Sequence, residues 1–299
     1  MTFAMLQILV FQIVLPAIFI YSLWRGSFHS RFFWLLQVLA DVMLIAWIFF
    51  TGRWDWIGYY VRYLWPLLLV LAIYFSWKKA RGLPFHKPST RGQKWALLPN
   101  VFILLIFGMY NVFAVSSYFP DDEPIELVYP LENGTYYVAH GGAHTQMNYH
   151  HAYEPQQYAL DIVKLNQAGL RASGLYPKTL EKYAIYGDEL TSPCDGEVVE
   201  SRNDLPDFVP PEADGENVEG NYVALSCEGI DALVYIAHMQ EGSAGVEEGD
   251  TVETGQRIGL VGNSGNTSEP HLHIHAEKNG KGVPIHFNDN FLVRNNVVR

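Results

Sequence analysis

Four stretches before residue 118 are almost entirely apolar: Ala4–Trp24, Phe33–Phe50, Tyr59–Trp77 and Trp95–Tyr118. Each has about the 20 residues a helix needs to cross a hydrocarbon core. Trp24, Trp77, Trp95 and Tyr118 stand at their ends, where amphipathic rings favour the membrane interface. The pattern predicts four transmembrane helices within residues 1–118. Asp41 is the single acid inside a span. It reads either as a polar or proton-linked contact between helices or as a satisfied packing residue.

Beyond residue 118 the pattern changes. A charged, Pro-containing linker over 119–133 leads into short β-type runs separated by turn residues: Gly134–His140, Tyr158–Leu165, Gly196–Ser201, Asn221–Cys227, Ala232–His238, Gln256–Gly262 and His271–Glu277. Many short strands with Gly-rich turns predict an all-β domain over 134–299, an antiparallel sandwich or barrel. A helical interruption is expected around Tyr176–Tyr186. Asp204–Gly220 is acidic, Pro-rich and without periodicity. It reads as a lid or groove wall, or as a solvated insertion.

Charge divides the chain in the same place. The net charge is −11, but through Val115 ten Lys/Arg face only two acids, giving +8, and the remainder carries −19. Such an acidic half disfavours nucleic acid as a partner. The connection Lys78–Lys94 holds six Lys/Arg and no acid, which predicts that it is cytoplasmic and that everything after Tyr118 lies outside the cytoplasm. The first run has neither a basic leader nor a small-residue cleavage site after it, so it reads as a retained span. Cys194 and Cys227 form no C-x-x-C pair, which argues against a cysteine zinc site. In an oxidising compartment they are either a disulfide or two buried thiols.

The chemistry concentrates in Gly262–Glu277, which reads G-N-S-G-N-T-S-E-P-H-L-H-I-H-A-E. In a strand, side chains two apart share a face, so His271, His273 and His275 line one side while Leu272 and Ile274 face the other. Neutral imidazole is a common Zn²⁺ ligand. A catalytic zinc site keeps three protein ligands and one open position. Further ligands are available elsewhere. Asp161 sits in an apolar run where a carboxylate needs a partner; Asn148-Tyr-His-His151 offers His150 or His151; and His238 ends another apolar run.

These segments together resemble the lysostaphin-type (LytM-like) zinc metallopeptidases, which cut peptide cross-bridges of bacterial cell walls and have the duplicated hybrid motif fold. The resemblance rests on Pro270-His271-Leu-His273 after G-N-S-G-N-T-S-E, and on the framework Ser192-Pro-Cys-Asp-Gly-Glu-Val, Gly220-Asn-Tyr-Val and Val252-Glu-Thr-Gly-Gln-Arg-Ile-Gly. It covers roughly Gly134 to Phe287 and implies His150, Asp161 and His273 as zinc ligands, with His271 and His238 as catalytic histidines. The family's usual first motif spaces His and Asp four apart, whereas His150 and Asp161 are eleven apart, so His151 stays a rival for the first ligand. His275 replaces an acid often found there and reads as a support for the site or as groove lining. Asn221 reads as a holder of substrate backbone or as a turn residue.

The resemblance implies a peptidoglycan endopeptidase in the bacterial cytoplasmic membrane, using Zn²⁺ and no organic cofactor, with the lipid bilayer and cell-wall peptides as partners. Two rivals stand beside it. One is a catalytically silent LytM-like module that regulates wall hydrolysis. The other is a carrier domain of the lipoyl or phosphocarrier kind, suggested by Gly249-Asp-Thr-Val-Glu-Thr-Gly. A carrier would need a modified Lys or a phospho-His in the cytoplasm.

Overall fold

The computed structural model describes residues 3–299. It divides into two compact units, one of Met1–Trp54 with Tyr60–Val115 and one of Asp55–Tyr59 with Ser116–Arg299.

The first unit is helical. Four helices, Met5–Arg25, Arg31–Thr51, Tyr59–Ala80 and Arg91–Ser116, are long and apolar enough to cross a membrane. In the first, residues Val10–Val14 form a π-turn just ahead of Pro16. A proline ring collides with the carbonyl four residues back, and the widened turn gives it room. Polar groups tie the helices together. Trp34 Nε1 donates to Ser76 Oγ at 2.9 Å, and Asn111 Nδ2 donates to the Met43 carbonyl at 2.8 Å. Asp41 is fully buried, and neither carboxylate oxygen has a hydrogen-bond partner among the described residues. Among the described residues it is therefore neither hydrogen-bonded to another helix nor a satisfied packing residue.

The second unit is built on one antiparallel sheet. Its strands are β1 Tyr136–His140, β2 Leu160–Lys164, β3 Gly196–Arg202, β4 Asn221–Cys227, β5 Leu233–Met239, β6 Thr251–Val252, β7 Leu272–Lys278, β8 Lys281–Val283 and β9 Val297–Val298. They lie in the order β9-β1-β2-β7-β5-β4-β3-β6, with β8 paired to β7. A smaller sheet pairs Ile125–Leu127 in parallel with Ile285–Phe287. The strand expected over Gln256–Gly262 is present as Arg257–Leu260 and pairs antiparallel with Glu189–Thr191, apart from the main sheet.

Alternation decides the faces. Leu160, Ile162, Val223, Leu225, Val234, Ile236, Leu272 and Ile274 form one buried layer. Asp161, His273 and His275, at the intervening positions, project from the opposite face. Farther along that face Tyr137, Ala139, Val163 and Leu165 form a second apolar cluster with Tyr59. The helix expected over Tyr176–Tyr186 is reduced to one 3₁₀ turn, Leu180–Lys182. The cause is pairing, since Ala184 donates to the Arg171 carbonyl, Ser173 donates to the Lys182 carbonyl, and Ala172 bridges Tyr183. Those bonds use backbone groups a longer helix would need. Cys194 and Cys227 form a disulfide, closing the alternative of two thiols.

Candidate metal centre

β7 lies between β2 and β5, and in that register His273 stands directly opposite Asp161. Directly paired residues on one sheet face are within contact distance. His273 Nδ1 lies 2.9 Å from Asp161 Oδ1. His150 reaches the same oxygen from the 3₁₀ turn Tyr149–Ala152, with Nε2 at 3.0 Å. Fully buried Asn148 fixes that turn. Its side chain accepts from the His150 amide and donates to the carbonyls of Gly142 and Ala159. His151 is turned elsewhere, its Nδ1 against the Gln157 carbonyl at 3.1 Å. The geometry thus favours His150 over its neighbour.

Two more imidazoles face this cluster. His271 Nδ1 lies 2.9 Å from the Glu269 carbonyl, so it carries the proton, and Nε2 points to Asp161 Oδ1 at 3.4 Å. His238 Nδ1 likewise faces the Ser264 carbonyl at 2.9 Å, leaving Nε2 as a lone pair. The ring centroids of His238 and His271 are 4.9 Å apart. His238 gets there by local distortion. Its φ is +60°, in the left-handed region that non-glycine residues avoid, and the β4–β5 register shifts beside it. A bulge of this kind re-aims one side chain, and such strain gathers at functional sites.

Electrostatics match the geometry. Burial would raise the Asp161 carboxyl, but the imidazoles of His150 and His271 hold it well below the usual carboxylate range. Burial, reinforced by neighbouring histidines, pushes His238 well below the ordinary imidazole value, and burial lowers His273 to about 4. Asp161 is thus held as an anion beside the depressed imidazoles of His238 and His273, as a cation requires of its ligands, while the Asp161 charge outweighs burial and raises His271.

The donor set fits zinc. His150, Asp161 and His273 offer atoms all within 4.8 Å of one another, as do His238, His271 and His273. The 2.9 and 3.0 Å separations of His273 and His150 from Asp161 compare with an edge of about 3.3 Å for a tetrahedron with zinc-like bond lengths. His271 Nε2 is buried and, among the described residues, makes no hydrogen bond, lying 3.4 Å from Asp161 Oδ1, the position of a nitrogen that would face a bound cation. A cavity of about 190 Å³ opens onto the cluster, bounded by Tyr149, His150, Tyr153, Glu219, His238 and His273.

Two sequence candidates for substrate contact take other places. Asn221 is fully buried. Its side chain accepts from the Leu205 amide and donates to the Leu205 and Met239 carbonyls, which leaves nothing for a ligand. His275 is also buried, lies flat on Tyr235, and sets Nδ1 3.1 Å from His273 Nε2. It supports His273 and does not line the groove. Sequence reasoning missed Ser264, Thr267 and Glu269, whose oxygens orient His238 and His271. Their only sign in the sequence was membership of the Gly/Asn/Ser loop.

Residues 180–285 match the model of peptidase family M23. The chain carries an M23 peptidase domain. The matched segment contains His238, His271 and His273, while His150 and Asp161 lie upstream of it. Among solved structures, the chain is similar to a zinc-containing peptidase from Vibrio cholerae, with 19% identity, TM-score 0.26, and 42% of this chain and 48% of that one covered. It is similar to the catalytic domain of the antimicrobial peptidase lysostaphin from Staphylococcus simulans, with 23% identity, TM-score 0.23, and coverage of 35% and 75%. It is similar also to the SpoIIQ–SpoIIIAH pore-forming complex, with 19% identity, TM-score 0.28, and coverage of 42% and 59%. The chain therefore spans about half to three fifths of the first and third of these. No curated protein matches it.

Proposed function

We propose that this chain is a membrane-anchored zinc metalloendopeptidase that hydrolyses peptide cross-links of bacterial peptidoglycan. The observation that carries the reading is the convergence of His150, Asp161 and His273 on one point, with two further imidazole nitrogens facing it. His150 Nε2, Asp161 Oδ1 and His273 Nδ1 are the proposed ligand atoms. Bound there, zinc supplies Lewis acidity that polarises a peptide carbonyl and acidifies water. His238 and His271 carry the proton traffic. Each gives its Nδ1 proton to a backbone carbonyl, so each keeps Nε2 free to take a proton from the attacking water or return one to the leaving amine. His275 steadies His273 from behind, the role that outer partners of metal-bound histidines play.

The basic Lys78–Lys94 connection supports a domain facing out of the cytoplasm, and the Cys194–Cys227 disulfide supports an oxidising compartment. A tethered peptidase facing outward suits a polymer substrate that does not diffuse to it. The full chain in detergent micelles, supplied with zinc and cross-linked wall peptides, is expected to release cleaved peptides detectable by mass spectrometry. His273→Ala is expected to abolish the cleavage. Stoichiometric zinc with no turnover on any wall peptide would instead make the chain a silent module of the same family.

A further inference from the structure

Asp55–Tyr59, the connection between the second and third apolar helices, belongs to the β unit, and its contacts there lead toward His271. Asp55 is fully buried, Trp56 is 7% exposed, and Arg171 is 2% exposed. The Arg171 guanidinium lies 3.7 Å over the Trp56 ring, with Nε 3.8 Å from Asp55 Oδ2 and donating to Glu269 Oε2 at 2.6 Å. Backbone bonds register the segment against the same loop. Arg171 donates to the Asp55 carbonyl and Tyr59 donates to the Gly169 carbonyl. Trp56 also stacks on Tyr176 at 5.4 Å, and the Tyr176 hydroxyl donates to the Ser268 carbonyl at 2.8 Å. Ser268 and Glu269 are thus both gripped from this side. The grip matters because the Glu269 carbonyl holds His271 Nδ1, helped by Thr267 Oγ1 at 3.1 Å.

We infer that Asp55 and Trp56 are positioning residues for His271, acting through Arg171 and Glu269. The buried guanidinium is held jointly by Asp55, Glu269, the Leu175 carbonyl and the Trp56 face, and breaking one partner of a buried ion pair is costly. Removing one of them frees Arg171 to move and loosens its bond to Glu269. The 267–269 loop then loses the fixed carbonyl that sets the tautomer and ring plane of His271. The ligand strand and its register do not depend on this grip, so metal binding is expected to survive its loss. The inference rests on the metallopeptidase reading only for its kinetic consequence. A fragment beginning after the fourth helix lacks the segment altogether.

The test compares full-length wild type with Trp56→Ala, Asp55→Asn and the ring-conserving Trp56→Phe, all in micelles. Peptide mapping after brief diethyl pyrocarbonate treatment of metal-free protein reports how well His271 is held. The modification rate of His271 is expected to rise about tenfold or more in Trp56→Ala and Asp55→Asn, the scale on which outer-shell contacts act, and to return toward wild type in Trp56→Phe. Zinc content should stay at one equivalent, while kcat falls about 10- to 100-fold with KM unchanged. An unchanged His271 reactivity in Asp55→Asn and Trp56→Ala overturns the inference. So does loss of zinc and of folding together in every variant, which would make the segment a general structural part. If wild type binds zinc and cleaves nothing, the peptidase reading fails, and the His271 reactivity still decides this one.

Discussion

The Cys194–Cys227 bond offers a perturbation whose size follows from the structure. Gly196 at the start of β3 pairs with Cys227 at the end of β4, so the disulfide staples the edge of a register already set by the sheet. A Cβ at Gly196 would run into the Ser226 carbonyl, so the strands approach closely here. The Cα atoms are 5.7 Å apart, within the ordinary range. The two cysteines are 33 residues apart in sequence, and the loop includes the acidic, Pro-rich Asp204–Gly220 strap. On the chain-entropy account, opening a loop of that length releases about 3.7 kcal/mol of denatured-state entropy at 25 °C. Spread over the unfolding entropy of a unit of roughly 180 residues, the loss is about 10 °C in Tm. The assay is calorimetry of the full chain in micelles, with the oxidised protein compared with a Cys194→Ala/Cys227→Ala variant and with reduced wild type. The β-unit transition is expected near that displacement in both, with the variant slightly lower because both side chains are buried. A shift under about 2 °C would contradict the loop-entropy estimate, and free thiols in freshly extracted protein would contradict the oxidising compartment proposed for this unit.

Gly220 has φ +66°, and a Cβ there would run into the Ser264 backbone whose carbonyl holds His238. Gly220→Ala is expected to cost about 1–2 kcal/mol from backbone conformation alone and to lower kcat by misaligning His238, measured by thermal melts and turnover. Asn148→Ala removes a buried clamp that accepts from the His150 amide and donates to two carbonyls. At about 1 kcal/mol net per bond it should cost roughly 3 kcal/mol and weaken metal binding through His150, read by competition with a zinc chelator. Alkaline titration should unfold the β unit. Burial pushes Tyr129 and Tyr136 well above the ordinary value of 10, with Tyr136 raised further by its hydrogen bond to Asp188, and burial pushes Tyr186 up to about 12. These groups are protonated in the fold above the pH where the unfolded chain ionises them, so the stability they contribute is complete below pH 10 and declines above it. Tyrosinate absorbance rising together with loss of circular dichroism bears this out, and tyrosines that ionise near pH 10 with the fold intact contradict it.

Hydropathy made the four apolar helices legible, because a hydrocarbon-spanning helix announces itself by length and composition alone. Alternation served nearly as well for β7, where Leu272 and Ile274 face the core and His273 and His275 do not. What stayed hidden depends on partners distant in the chain. The backbone donors of 173–184 pair with one another and with Arg171, which suppressed the helix expected over Tyr176–Tyr186. Asn221 looked available at the head of a strand, yet Leu205, sixteen residues away, saturates it. His150 and His151 are indistinguishable by local pattern, and only the buried Asn148 clamp tells which one turns toward Asp161. Nothing in the run Trp54-Asp-Trp56 announced that Asp55 and Trp56 would pack on Arg171 in the β unit.

The proposed function requires His150, Asp161 and His273 to grip one divalent ion. Elemental analysis of folded, full-length protein after dialysis against trace zinc tests it most directly, alongside single alanine substitutions of the five site residues. One zinc per chain is expected in wild type, His238→Ala and His271→Ala, and none in His150→Ala, Asp161→Ala or His273→Ala. Folded wild-type protein without stoichiometric zinc would contradict it, as would zinc retained when His273 is removed.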